Sequence, residues 1–298
     1  MVWMSPDGQK GHPRDISPCL FGHGERDVRL IMDQPGQWKD ALMRVLLSDN
    51  NLGRWSPGHD GVMDCEALAL AYAYPQLTPE QTWVRANFIS TLDGAAAGDD
   101  GRSGSINTGA DREVFGLLRA LSDVVLVGAG TARTEGYRRA AVRAPWLYLR
   151  QGRPAHPTTA IVSRSGDVPP GLSQARENSG EVVLITCKRA GAEAIDLACR
   201  TLGETQVIVA GDDTVHMAAA VDSLGARGLR RILCEGGPHL MGDLTASGRL
   251  DELCLTLAPT LVAGEHPRIT AGPAVTVNLL PRLLIESQGT LLGRWARP

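Results

Sequence analysis

No CxxC pair stands anywhere in the 298 residues, and the six cysteines, at 19, 65, 187, 199, 234 and 254, follow no regular spacing. A disulfide framework is therefore not expected, and the thiols that lie in strand-like apolar runs read as reduced and buried. The seven histidines form neither HExxH nor any His/Cys cluster of zinc spacing, so no metal site is expected. No apolar run approaches the roughly 18 residues that span a bilayer, and the mixed-charge, Gly/Pro-containing N-terminus lacks the apolar centre of a signal peptide. A membrane partner is not expected and the cytoplasm is the expected compartment. Formal charge is −3 with Lys and Arg spread throughout, which lacks the basic footprint of a nucleic-acid binder. What remains is a globular chain long enough for one large domain or two small ones.

Residues 1–35 are rich in Gly, Pro and charge without periodicity, and read as a flexible tail in which Met4 or Met32 is an equally good start. Residues 36–80 read as an N-terminal helical appendage. One helical pattern runs around Trp38, Leu42, Val45 and Leu46, and a shorter one runs through Ala67 to Tyr72. The main domain is expected over 81–298. Strand candidates there are 83–89, 124–127, 159–162, 182–186, 207–210, 231–234 and 253–258, with helical patterns at 111–121, 190–202, 214–227 and 238–247. That alternation predicts an α/β fold, a mostly parallel sheet with helices on its faces. Residues 282–286 and 290–295 around Gln288-Gly289 read as a hairpin, which adds an antiparallel edge.

The stretch from Cys234 to Leu253, CEGGPHLMGDLTASGRLDEL, carries the strongest local signal. A buried strand runs into Gly236 and Gly237 and then into a helix whose apolar positions include Leu240, Met241 and Leu244. Exposed N–H groups and the helix dipole favour a phosphate there. Glu235 is a carboxylate at the strand's C-terminal end, where ligands of open α/β sheets sit, although an ordinary turn with a solvated Glu has the same pattern. Gly128-Ala129-Gly130-Thr131 likewise follows a buried strand, but the dinucleotide fingerprint fails because Arg133 stands where its third glycine is needed. Either a glycine turn or a nucleotide cradle fits. Ser163-Arg164, after the strand 159–162, pairs a hydroxyl with a guanidinium, a combination suited to a 2′-phosphate or simply solvated. Asp93, in Leu92-Asp93-Gly94, is either the first residue of a turn or an acid facing a substrate. By pattern alone, Arg119 falls on the solvated side of its helix and His239 is exposed.

Taken together, VRANFISTLDG, RSGSINTGADREVFGLLRALSDVVLVGAGTARTEGY and ILCEGGPHLMGDLTASGRLDELCLTLAPTL resemble the reductase domain of riboflavin biosynthesis. This is the C-terminal domain of the bifunctional deaminase-reductase, and the likeness, over about 82–295, is nearest to a stand-alone actinobacterial-type pyrimidine reductase. The H-x-E and P-C-x-x-C that hold zinc in the deaminase half are both missing, which excludes deamination. The resemblance implies a dihydrofolate-reductase-like fold, a homodimer, and an NADPH-dependent oxidoreductase. Its small-molecule substrate would be 5-amino-6-(5-phosphoribosylamino)uracil, with hydride delivered to ribose C1′. It implies cofactor contacts at Ile89, Ser105, Gly128, Thr131, Glu135, Ser163 and Arg164, and in the loop Gly236, Gly237, Pro238, His239 and Leu240. Substrate contacts are implied at Ser103 and Arg119, and catalytic carboxylates at Asp93 and Glu235, where a partly desolvated carboxyl would have a raised pKa. Two departures concern the substrate phosphate. Ala95 stands where the family commonly has Lys or Arg, and 134–139 reads Thr-Glu-Gly-Tyr-Arg-Arg in place of a D-D-P run followed by Arg; Arg138, Arg139 or Arg143 is then the substitute cation. A dihydrofolate-type pterin reductase and a non-catalytic NADP-binding module are the alternatives.

Overall fold

Val124, Val125, Leu126 and Val127 are four apolar residues in succession, and all four side chains are fully buried. A strand so covered on both faces needs helices above and below its sheet. The computed structural model of the chain, which describes residues 42–48, 61–174 and 177–298, provides them. All described elements belong to one compact unit within Lys39–Pro298. In chain order these begin with β1 (Met43–Ser48), β2 (Val62–Met63), α1 (Cys65–Ala71), β3 (Trp83–Thr91), α2 (Gly109–Leu121), β4 (Val124–Gly128) and α3 (Ala129–Thr134). There follow β5 (Thr158–Val162), α4 (Pro170–Ser173), β6 (Val182–Thr186), α5 (Ala192–Leu202), β7 (Val207–Val209) and α6 (Met217–Ala226). The chain closes with β8 (Arg231–Cys234), α7 (Pro238–Ala246), β9 (Glu252–Ala258), β10 (Leu280–Ser287) and β11 (Thr290–Ala296).

All eleven strands among the described residues form one sheet, in the order β2-β1-β10-β11-β9-β3-β8-β4-β5-β6-β7. From β9 to β7 every neighbour is parallel, and from β9 through β11, β10 and β1 to β2 every neighbour is antiparallel. The fold is therefore a mixed α/β sheet, parallel in one part and antiparallel in the other, with the expected C-terminal hairpin inside its antiparallel part. One core cluster packs α6 and α7 (Met217, Val221, Leu224, Leu240, Met241, Leu244) on one face of the parallel strands. On the other, Ala129 and Ala132 of α3 and Leu172 of α4 meet Val127, Ile161 and Val182.

The segment before β3 departs from expectation. Leu42, Val45 and Leu46 were expected on a helix, but 43–48 is β1, which pairs antiparallel with β10. Apolar residues at 42, 43, 45, 46 and 47 fit either period, and the open edge of β10 decides between them. The shorter helix is present as α1, capped by Asp64, whose side chain accepts from the Ala67 N–H at 2.8 Å. Residues 43–71 therefore contribute two strands to the main sheet. The tail expected over 1–35, and Trp38, lie outside the described residues.

A buried ion cluster fastens α1 to that sheet. Glu252 of β9 is fully buried between Arg85 of β3 (Nε to Oε1, 2.7 Å) and Arg294 of β11 (Nε to Oε1, 2.8 Å). Each guanidinium also donates to a carbonyl at the C-terminus of α1, Arg85 to Tyr72 O at 2.7 Å and Arg294 to Ala71 O at 2.8 Å. Trp83 Nε1 donates to Glu252 Oε2 at 3.0 Å. Burial alone would raise the Glu252 carboxyl, but the two guanidiniums outweigh it and hold it below its usual value.

Candidate active site

Residues alternate faces along a strand, so when Ile232 and Cys234 of β8 enter the α6/α7 core, the next residue, Glu235, points to the α2 side. Its N–H donates to Leu126 O at 3.0 Å, which prolongs the β4 ladder by one residue and fixes its backbone. There its carboxylate meets Arg119 of α2 in a bidentate pair, Nε to Oε1 and Nη2 to Oε2, both at 2.7 Å. The Glu235 side chain is 1% exposed and that of Arg119 18%. Arg119 also lies 4.4 Å from the centroid of the Phe115 ring. Burial works against the charge of Arg119, but the Glu235 carboxylate outweighs it and keeps the guanidinium protonated above its ordinary value.

A third group completes the constellation: Tyr137 donates its hydroxyl to Glu235 Oε2 at 3.0 Å. Its place follows from the end of α3. Gly136 takes φ +68°, its N–H donates to Arg133 O, and the Tyr137 N–H reaches back to Ala132 O at 2.8 Å. This is a Schellman end with glycine in the left-handed position, and it aims the following residue back over the helix. Burial first, and the Glu235 carboxylate second, push the Tyr137 phenol well up, so it stays a donor.

Beyond Glu235 the chain turns sharply. Gly236 has φ +116°, its carbonyl accepts from the Gly128 N–H at 2.8 Å, and the Gly236–Gly237 peptide is cis. A Cβ on Gly237 would run into the Thr131 hydroxyl, so glycine there lets α3 and the turn close into one wall. Gly237 is the N-cap of α7 and supplies no side-chain cap, which leaves the first N–H groups of that helix open to an anion. Gly128 is in register with Val162, so Ser163-Arg164 leaves the sheet beside the start of α3.

These pieces border a cavity of about 310 Å³. Ile89, Ser103, Thr131, Glu135, Glu235, Gly236, Gly237 and Pro238 all line it, so half of the expected site residues are brought together. Within it Glu135 is already engaged, its Oε1 accepting from the Ser103 N–H at 2.9 Å and the Ser103 hydroxyl at 3.0 Å. Gly128 lies beneath the turn, and Arg119 stands behind Glu235, where it borders a second depression with Arg138 and Arg139. Arg139 spends its donors on Leu172 O and Ser173 O, and Arg143 pairs with Glu113 at 3.3 Å. Arg138 makes no hydrogen bond with the described residues.

Other expected residues lie off the cavity wall. Ser105 is exposed and donates to Asp100 and to Arg102 O, each at 2.8 Å. His239 is exposed, and the Leu240 side chain belongs to the α6/α7 core. Ser163 is buried, 3.3 Å from the Ser165 hydroxyl, while Arg164 is exposed and its guanidinium has no partner among the described residues. Asp93 is exposed as well, and its carboxylate accepts from the Thr91 hydroxyl and from the Val262 and Ala263 N–H groups. Those hydrogen bonds, Thr91's first, hold its carboxyl below the ordinary value, the reverse of the raised pKa expected for it. Tyr137, Phe115 and Asp111 line or support the cavity without having been expected there. For Tyr137 the sequence signal was Gly136 in a helix-ending position. Among the described residues no group of His, Cys, Asp or Glu is disposed to hold a metal. No described helix is long and apolar enough to cross a membrane.

Comparison with known proteins bears on the family and the fold. A family model described as the RibD C-terminal domain matches residues 82–288. A 2,5-diamino-6-ribosylamino-4(3H)-pyrimidinone 5′-phosphate reductase of Archaeoglobus fulgidus is 26% identical over 193 residues, covering 64% of this chain and 86% of the relative. Its namesake in Aquifex aeolicus is 27% identical, over 54% of this chain and 70% of that one. A solved pyrimidine reductase-like protein of Corynebacterium diphtheriae superposes with a TM-score of 0.66 at 26% identity, covering 77% of this chain and 97% of its own. The bifunctional deaminase and reductase of Thermotoga maritima, at 18% identity and TM-score 0.55 over 73% of this chain and 57% of its own, shares the fold.

Proposed function

The chain belongs to the RibD C-terminal domain family and is a reductase, and from that premise we propose that it uses NADPH to reduce a ribosylamino-pyrimidine 5′-phosphate at ribose C1′. The observation that carries the reading is the Glu235 carboxylate, buried and doubly held by Arg119, on the wall of a cavity beside the uncapped start of α7. The residues present fit the cofactor. Open N–H groups after Gly237 suit its pyrophosphate, and the unpartnered Arg164 beside Ser163 suits a 2′-phosphate at the next strand end. When bound, the nicotinamide supplies the hydride.

The chain's own residues have the task of orientation. Glu235, fixed by Arg119 and Tyr137, presents a carboxylate to the cavity that accepts from a sugar hydroxyl or amine of the substrate. Its place on the cavity wall favours it over Asp93 as the carboxylate that meets substrate. Arg138, unengaged at the neighbouring depression, is the cation for the substrate phosphate, since position 95 holds Ala in place of a basic residue. A homodimer and a cytoplasmic location complete the proposal.

Titration with NADPH and NADH by nicotinamide fluorescence tests the cofactor, with NADPH bound tightly and Arg164→Ala weakening it towards the NADH level. Absence of binding to either nucleotide would overturn the reading. For the carboxylate, Glu235→Gln is expected to lower kcat/KM roughly 10- to 150-fold, the range of a lost charged hydrogen bond, with NADPH affinity intact. Asp93→Asn is expected to act mainly on the loop at 260–263.

A further inference from the structure

Asp111, 4% exposed, sits in the first turn of α2 and lines the cavity. The helix does not need it as a cap, because Thr108 takes that role by accepting from the Asp111 N–H. Its side chain turns inward, where the Thr256 hydroxyl of β9 donates to Oδ1 at 2.5 Å. Thr256 is itself 2% exposed and stands in register with Ile89. Oδ2 has no hydrogen-bond partner among the described residues. One helical turn earlier, Asn107 lines the same cavity, and its Oδ1 is buried without a partner. Among the described residues no Lys or Arg lines the cavity. This wall therefore offers acceptors and lacks a cation, and N–H donors on whatever occupies the space match it. Burial already pushes the Asp111 carboxyl up, which is the cost a donor-rich ligand would relieve.

Ring chemistry narrows the occupant. A 2-amino-4-oxopyrimidine presents two parallel N–H groups, at N3 and on the 2-amino nitrogen, spaced to meet the two oxygens of one carboxylate. On the same edge a uracil presents only N3–H, between two carbonyls whose lone pairs oppose a carboxylate; its other ring N–H, at N1, lies on the side of the ribosylamino group. We infer that Asp111, steadied by Thr256, reads the ring of the substrate and selects the 2-amino-4-oxo form over the 2,4-dioxo form. This rests on the proposed reading of the cavity as the seat of a pyrimidine. It places the reduction before loss of the ring's 2-amino group, so a hydrolytic deamination must consume the product.

The test uses the full chain with NADPH and two acceptors that differ only at ring C2, the 2-amino and the 2-oxo ribosylamino-pyrimidine 5′-phosphates. Wild type is expected to favour the 2-amino ring. Asp111→Asn, whose amide offers one donor and one acceptor, is expected to lower kcat/KM for that ring roughly 10- to 100-fold, chiefly through KM, while sparing the 2-oxo ring. Thr256→Val should shift the preference in the same direction by less, and NADPH affinity and melting temperature serve as folding controls. A preference that Asp111→Asn leaves unchanged, or a wild type that favours the 2-oxo ring, overturns the inference while the reductase reading stands. If wild type turns over neither ring, the reductase reading falls and calorimetry decides the role of Asp111. Asp111-dependent binding of 2,5,6-triamino-4(3H)-pyrimidinone but not of 5,6-diaminouracil upholds it, and equal binding of the two rejects it.

Discussion

Tyr137 donates to a carboxylate that a guanidinium already neutralises, so its hydroxyl fixes the position of Glu235 and adds no charge. Removing it in Tyr137→Phe is expected to lower kcat/KM roughly 2- to 10-fold, since Arg119 still holds the carboxylate, and to leave NADPH affinity unchanged by fluorescence titration. The same triad shows which residues a sequence reveals. Arg119 and Glu235 are 116 residues apart, and helical pattern alone puts Arg119 in solvent; only the resemblance drew the two together. Asp93 looked chemical because Asp-Gly follows a strand, yet its oxygens are spent on Thr91, Val262 and Ala263. No local pattern reveals partners 169 and 170 residues away.

The short helix α3 ends where it does because Gly136 can take φ +68°. Gly136→Ala is expected to cost about 1 kcal/mol in chemical denaturation and to lower activity by shifting Tyr137. Gly136→Asn, which tolerates the left-handed region, should recover most of both. Elements with one clear period were legible: β6 and β8 span the residues expected, and the hairpin of β10 and β11 turns at Gln288-Gly289. Where apolar residues fit two periods, as in β1, the choice belongs to the tertiary neighbour. The helix expected there failed because the sequence window contains neither β10 nor the carbonyl acceptors that Arg85 and Arg294 find in α1.

Three distant segments of chain meet in the Arg85–Glu252–Arg294 cluster, so its loss is expected to be felt by the entire sheet. Glu252→Gln should destabilise the protein by about 3–5 kcal/mol in urea denaturation, since two buried guanidiniums lose their counter-charge. Because the folded state holds this carboxyl below its unfolded value, its stabilisation is complete above the ordinary Glu value of about 4.3. It drains away as pH falls through the lower folded value. Melting temperature followed through that acid range should decline more steeply in wild type than in Glu252→Gln. The strand order has a further consequence, for synthesis. β3, the first of the parallel strands to leave the ribosome, lies between β9 and β8, both of which are translated far later. At typical elongation rates the roughly 150 residues that separate β3 from β8 take about 7–30 s to make. For that interval β3 waits with both edges bare, open to pairing with another chain.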